Sequence, residues 1–414
     1  MKKLFTFLFL LGIINSQAQT ATGLRFDGID DKITIAAPAN LPLGNSTFTI
    51  EAWIKPVDNT TVHAIAGWGT WGSFNAVNAF RTRTTAEGVG LVNYWWGNDL
   101  YATAGFDLYD GAWHHVAVTY DGVNRKIYVD GVVRAQDVPS ATTHSVTAVN
   151  FAVGSTNNGE YFKGDMDEVH IWSRALCQIE LQNNMTGELT AAGQTGLALL
   201  YHFNQGIAAG NNIGITSATD GSGNSNNGTL TNFSLSGSIS NWATGTVTGN
   251  SPAFAPASLA GTAGGAVVCQ SANVQAPGIN YLDGTCNLIA NINPSGASPV
   301  TGVVNTCVTI DASVQSYNGY PYVQRHYDII PATNAAAATG TITLYYTQAE
   351  FNGYNTVRGS NPALPVSAAD AAGIANILIT QFHGTGTAPG NYSGTAVLIN
   401  PADNKVIWNS TLSR

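Results

Sequence analysis

Charge is what this chain has least of. Of its 414 residues only 10% are Asp, Glu, Lys or Arg, well under the roughly 25% of an ordinary soluble protein. Methionine and cysteine are also sparse, at three and four residues. This composition argues against coiled coils, charged helical bundles and charge-driven disorder. Basic charge is the scarcer sign: 16 Lys+Arg against 25 Asp+Glu leave a net −9. With no basic surface to release counterions, nucleic acid is excluded as a partner. No CxxC pair occurs, so a zinc site is not expected. HExxH, GxSxG and Walker patterns are missing too, and the eight histidines are single apart from His114-His115. Those two point to opposite faces of a strand and cannot converge.

What charge there is lies unevenly. Residues 1–190 hold 12 of the 16 basic and 18 of the 25 acidic residues, leaving 4 and 7 for residues 191–414. Such a shift implies modules of different kinds on one chain. At the start, Lys2-Lys3, an apolar run from Leu4 to Ile14 and Ser16-Gln17-Ala18 have the form of a secretory signal, cleaved after Ala18. A membrane anchor would need about 20 apolar residues, and no later segment supplies them. Export makes disulfides the default for Cys177, Cys269, Cys286 and Cys307. One bridge among the last three is expected, with Cys286–Cys307 taken first, although four cysteines allow three full pairings.

Glycine, at 45 residues, is abundant, and the pattern it punctuates is β. Thr47 to Lys55 alternates cleanly, with Phe48, Ile50, Ala52 and Ile54 on one face and Thr49, Glu51, Trp53 and Lys55 on the other. His115–Tyr120 and Lys126–Val129 repeat the period of two. Asp-Gly at 110–111, 121–122 and 130–131 suits tight hairpin turns. This spacing predicts an antiparallel sandwich or jelly roll over residues 22–190, with one helix at Arg174–Met185. Residues 191–264, rich in Gly, Ser and Asn, are expected to add edge strands or a bridge. Residues 265–414 are again β-patterned, with Ser367–Ile377 as their one helical candidate.

Five motifs in order, LRFDGIDDKI (24–33), FTIEAWIKP (48–56), WHHVAVTYDG (113–122), KIYVDGVV (126–133) and FKGDMDEVHIWSRAL (162–176), resemble the laminin-G-like jelly-roll family of the concanavalin A-like lectin/glucanase superfamily. The resemblance implies an all-β jelly-roll sandwich. It leaves function between lectins and hydrolases. LALLYHFNQG (197–206) and DGSGNSNNGTLTNF (220–233) resemble a piece found beside such modules in secreted Bacteroidetes proteins, as does the β-module after residue 265. Those proteins continue into a C-terminal sorting domain, which would make this chain a fragment.

Three chemistries compete for the first module. The Glu-x-Asp-x-(x)-Glu motif of the glucanase branch is absent, although Asp165 and Asp167 share a strand face. Asp27, Asp30, Asp31, Asp165, Asp167 and Glu168 fall near the first and last strands, where oxygen-rich calcium sites could form. The resemblance implies calcium as a cofactor, with Asp27 and Asp167 the first ligands carried over. The competing reading is a set of Asx turns. Trp53, Trp113 and Trp172 are expected to pack. Trp68, Trp71, Tyr94, Trp95, Trp96 and Tyr101 fall instead among Gly and Asn, with Asn93, Asn98 and Asp99 at hand. The expected ligand contacts are Trp68, Trp71, Tyr94, Trp96, Asn98 and Asp99. Flat rings with such polar neighbours suit a shallow sugar site. Trp95 and Trp96 face opposite ways, so only one can be core. The resulting expectation is a secreted, non-catalytic module that binds a glycan or an extracellular surface protein. A glycoside hydrolase and a structural spacer are the alternatives.

Overall fold

The computed structural model describes residues 22–407 apart from 140–143, 158, 192–193, 247–257, 275–277, 385, 387–390 and 403–404. The expected signal segment, residues 1–18, lies outside the described residues. Two antiparallel eight-stranded sheets form the first module. One runs β10–β9–β8–β3–β12–β1–β16, where β1 is Thr22–Asp27, β3 Phe48–Pro56, β8 His114–Tyr120, β9 Arg125–Val129, β10 Val132–Asp137, β12 Lys163–Trp172 and β16 Asn241–Thr244. Its eighth strand, β13 (Leu197–Tyr201), pairs with the second half of β12. The other sheet runs β14–β15–β2–β11–β4–β5–β6–β7. Here β2 is Lys32–Thr34, β4 Ala64–Gly69, β5 Val77–Arg83, β6 Gly90–Tyr94, β7 Leu100–Ala102, β11 Ala152–Val153, β14 Ser217–Ala218 and β15 Gly228–Thr231. Residues 197–244 therefore contribute strands to both sheets.

The alternation in β3 sets which face is core. Phe48, Ile50, Ala52 and Ile54 meet Ile33, Ile65, Trp68, Phe80, Leu91 and Trp95 of the opposite sheet in one buried cluster. Gly154, at φ +77°, lets the Phe26 ring approach so closely that a Cβ would lie 2.1 Å from it. In β12 a bulge shifts the register between Asp167 and His170, and Glu168 takes up φ 47°. Met166 lies in the core before the bulge, and Val169 and Ile171 after it. The extra residue thus leaves Asp167 and Glu168 both facing outward.

The helix α1 spans only Gln178–Asn184. Cys177 is its N-cap, and Glu180 closes a capping box by accepting the Cys177 N–H at 2.9 Å. Leu181 joins Trp172, Leu176, Leu189, Leu197 and Leu200 in a second cluster on the outward face of the first sheet.

Beyond residue 258, two three-stranded sheets pack around Ile279, Tyr281, Ile289, Ile292, Val304 and Val308. The Ser367–Ile377 helix shrinks to Ala371–Ala375. A helix not expected there, Gln348–Val357, starts at a Thr347/Glu350 capping box. The Cys286–Cys307 pairing is not formed. Cys307 bonds Cys269, its direct partner across strands Val268–Asn273 and Val303–Ile310. Cys286 bonds Cys177. That bridge fastens the second module to α1, where Asn183 also receives the Asn280 N–H at 3.1 Å and donates to its carbonyl at 3.0 Å. Among the described residues no helix is long and apolar enough to cross a membrane.

Candidate functional site

On the second sheet, the residues facing away from the core form a cross-strand row. Thr34 pairs with Ala152, Ala152 with Gly67, Gly67 with Ala79 and Ala79 with Tyr94. At its far end Trp71, Tyr94 and Trp96 gather. Trp71 stacks on Tyr94 with centroids 5.9 Å apart, and Trp96 stands edge-on to both at 6.1 and 5.8 Å. Trp96 sits at φ 65°, costly for a bulky side chain. Asp99 braces this turn: one oxygen accepts the Trp95 N–H at 2.8 Å and the other the Tyr101 hydroxyl at 3.1 Å. Gly97 lies against the Phe74 ring, where a Cβ would meet ring carbon at 2.9 Å. Phe74 and Tyr101 are 63% and 48% exposed, while Trp71, Tyr94 and Trp96 are half-buried beside them. The Arg81 guanidinium lies over Tyr94 at 4.2 Å and that of Arg83 over Tyr101 at 4.4 Å.

Of the six residues expected to contact ligand, the structure brings Trp71, Tyr94 and Trp96 together on this face. Trp68 does not join them. It points into the sandwich, fully buried, and donates its indole N–H to the Pro42 carbonyl at 3.2 Å. Asp99 serves the turn, and Asn98 turns inward. Its carbonyl accepts from Arg125 at 3.0 Å, and its amide nitrogen is buried. Arg125 is wholly buried and pairs with Asp137 at 2.7 Å. It also lies 4.3 Å over Trp95, on which His144 stacks at 3.8 Å. Burial pushes His144 down to about 4, so it is neutral there. Phe74, Arg81 and Arg83 were missed, whereas Tyr101 was among the aromatics singled out; for the two arginines the outward alternation Ala79-x-Arg81-x-Arg83 was the signal.

The outward face of the first sheet is built differently. Glu51 on β3 is fully buried, and its Oε1 accepts from His170 Nδ1 at 2.9 Å, Trp172 Nε1 at 2.9 Å and Asn184 Nδ2 at 2.7 Å. His115 Nε2 stands 3.3 Å from Oε2. The other His170 nitrogen meets Glu168 at 3.0 Å, and Glu168 meets His202 at 2.7 Å. Burial alone would raise Glu51, but the contacts with His115 and His170 outweigh it and hold the carboxylate well below its usual range. Burial alone would lower His170, yet Glu168 and Glu51 raise it to about 9. An imidazolium clamped between two carboxylates results. No signal for this network was drawn from the sequence, because the period of two assigns a face without saying what covers it.

The acidic residues divide as well. Antiparallel pairing sets Asp27 opposite Lys163 and Leu24 opposite Met166. Asp167 is thus four residues along β12 from the partner of Asp27, roughly 13 Å at 3.3 Å per residue. These two cannot share one ion, so the expected calcium pair is not formed. Asp167 instead accepts the Thr246 and Glu168 N–H groups at 2.9 Å each. Burial and the neighbouring Glu168 charge raise it well above the carboxylate range. Asp165 is held by a two-pronged contact with Arg25. Asp27, Asp30 and Asp31 do converge, with carboxylate oxygens within 4.8 Å. Three of their oxygens already accept from Ile29 N–H, Asp27 N–H and the Ser240 hydroxyl.

Residues 27–182 match the family described as the concanavalin A-like lectin/glucanases superfamily. That segment is a domain of this superfamily. A Bacteroides ovatus protein provisionally described as carbohydrate binding resembles the chain at 25% identity, with a TM-score of 0.41. The match covers 51% of this chain and 58% of that one, so the chain spans little more than half of that relative's length. A heptameric pentraxin from Limulus polyphemus is 16% identical over 40% of this chain and 82% of its own, at a TM-score of 0.33. Domain 4 of an extracellular arabinanase from Geobacillus stearothermophilus, solved with arabinotriose, is 19% identical over 38% and 74%, at 0.31. With TM-scores below 0.5, none of the three informs the ligand of this lectin/glucanase-like domain. The comparison with curated proteins gave no match.

Proposed function

We propose that the concanavalin A-like domain is an exported, non-catalytic glycan-binding module and that the Trp71/Tyr94/Trp96 patch is its binding face. The carrying observation is that three rings in mutual contact stand on an outward sheet face beside exposed Phe74 and Tyr101. Apolar sugar faces stack on such rings. Hydrolysis is disfavoured because it needs a carboxyl pair flanking an accessible bond. Glu51 and Glu168 are buried against one imidazolium, and in the Asp27/Asp30/Asp31 set three oxygens are already taken by internal hydrogen bonds. Two disulfides accord with an oxidising compartment.

A glycan array on the full chain tests this, run with calcium and with chelator. Trp71→Ala and Trp96→Ala should each weaken a hit by about tenfold, the size expected of an aromatic anchor. Glycan hits indifferent to both substitutions would discard the patch, and silence across the array would favour the spacer. If calcium assists, Asp27, Asp30 and Asp31 are the carboxylates able to hold it, and chelator should then abolish the hit. A hit unchanged by chelator removes the ion from the reading.

A further inference from the structure

The row that ends at Tyr94 begins at a second depression. A recess of about 170 Å³ opens beside Thr34 and Ala152, lined also by Lys32, Asn150, Ser155 and Thr156. Four strand spacings separate its edge from the patch, so Thr34 and Tyr94 stand about 19 Å apart at 4.8 Å per spacing. Polar groups bridge the distance. Thr156 donates its hydroxyl to Glu160 at 2.8 Å, the other Glu160 oxygen pairs with Arg81, and Arg81 lies over the Tyr94 ring. That chain neutralises both Arg81 and Glu160. Lys32 is different: among the described residues no carboxylate pairs with it. The recess thus offers one uncompensated cation among hydroxyls and amides, while the patch offers flat apolar rings.

Resting on the glycan reading above, we propose that the face takes an acidic oligosaccharide rather than a single sugar. Neutral rings stack on Trp71, Tyr94 and Trp96, and a carboxylate or sulfate further along the chain enters the recess opposite Lys32. Specificity for acid would then be local, since the net charge of −9 repels anions at long range. Ion pairs of this kind weaken with salt.

The test is titration calorimetry on the full chain with three matched sets: uronate oligosaccharides, their carboxyl-reduced neutral counterparts and sulfated neutral chains. The wild type should bind at least one acidic set about tenfold more tightly than the neutral set, the worth of one charge-assisted contact. Whichever acidic set gains identifies the group. Lys32→Met should erase that preference while leaving neutral binding intact, and Lys32→Arg should retain it. Trp71→Ala should weaken all sets together. Equal affinity for acidic and neutral chains, or a preference that survives Lys32→Met, overturns the acidic reading alone. No binding by any set, with Trp71→Ala inert, overturns the patch as well. Melting curves on each variant confirm that the fold is kept.

Discussion

The sandwich has two outward faces, and they have opposite fates. On the first sheet Glu51, Glu168, His115 and His170 are buried, with His170 clamped between the two carboxylates and Asn184 of α1 donating to Glu51. On the second sheet Phe74 and Tyr101 are exposed beside half-buried Trp71, Tyr94 and Trp96, and the arginines lie over aromatic faces. The difference teaches that polarity does not decide exposure. The more highly charged face is the buried one, tolerable because His170 bridges its two carboxylates, even with His115 Nδ1 buried and unpartnered. The more apolar face is the open one, which is where binding is to be sought.

The sharpest way to break this contrast is to remove one partner from each face. Glu51→Ala leaves His170 facing a single carboxylate in a dry site and should destabilise the fold by about 3–5 kcal/mol in chemical denaturation. A loss under 1 kcal/mol would mean the network carries little. Within the aromatic set, Trp68→Ala should cost about 3–5 kcal/mol as a core truncation. Trp71→Ala should cost less, about 1 kcal/mol, the worth of ring contacts on an outer face. Similar values for the two would place both rings in one environment. A smaller effect sharpens the electrostatics. His170 is raised to about 9 from an ordinary 6.5. Its contribution is therefore complete below about pH 6.5 and fades as pH rises through 9. The melting temperature should fall across that window in the wild type and less in Glu51→Gln. A flat profile in the wild type would argue against a clamped imidazolium.

How much of this was legible depends on how local the signal is. Alternation along β3 gave its core face because period two is a property of the strand alone. Trp95 and Trp96 divided as that rule requires, one buried and one outward. Trp68 went wrong because the glycines around it look like a loop, whereas GWG is the end of β4. The bulge at Glu168 broke the period without leaving a mark in composition. The Gln348–Val357 helix was readable in principle, since Thr347-x-x-Glu350 is a capping box. Neither the Cys177–Cys286 bridge nor the cover over Glu51 could be read, because both arise from docking between segments far apart in sequence.

That bridge also gives the chain a load path. Tension applied to the second module enters the first through the sulfur atoms at the head of α1, bypassing the 109-residue separation between the two cysteines. Residues between them, β13, β14, β15 and β16 included, are strapped in parallel with a covalent tether rather than in series with the pull. A module fixed to a surface at one end and to a glycan at the other would bear shear through the α1 junction, not by paying out chain.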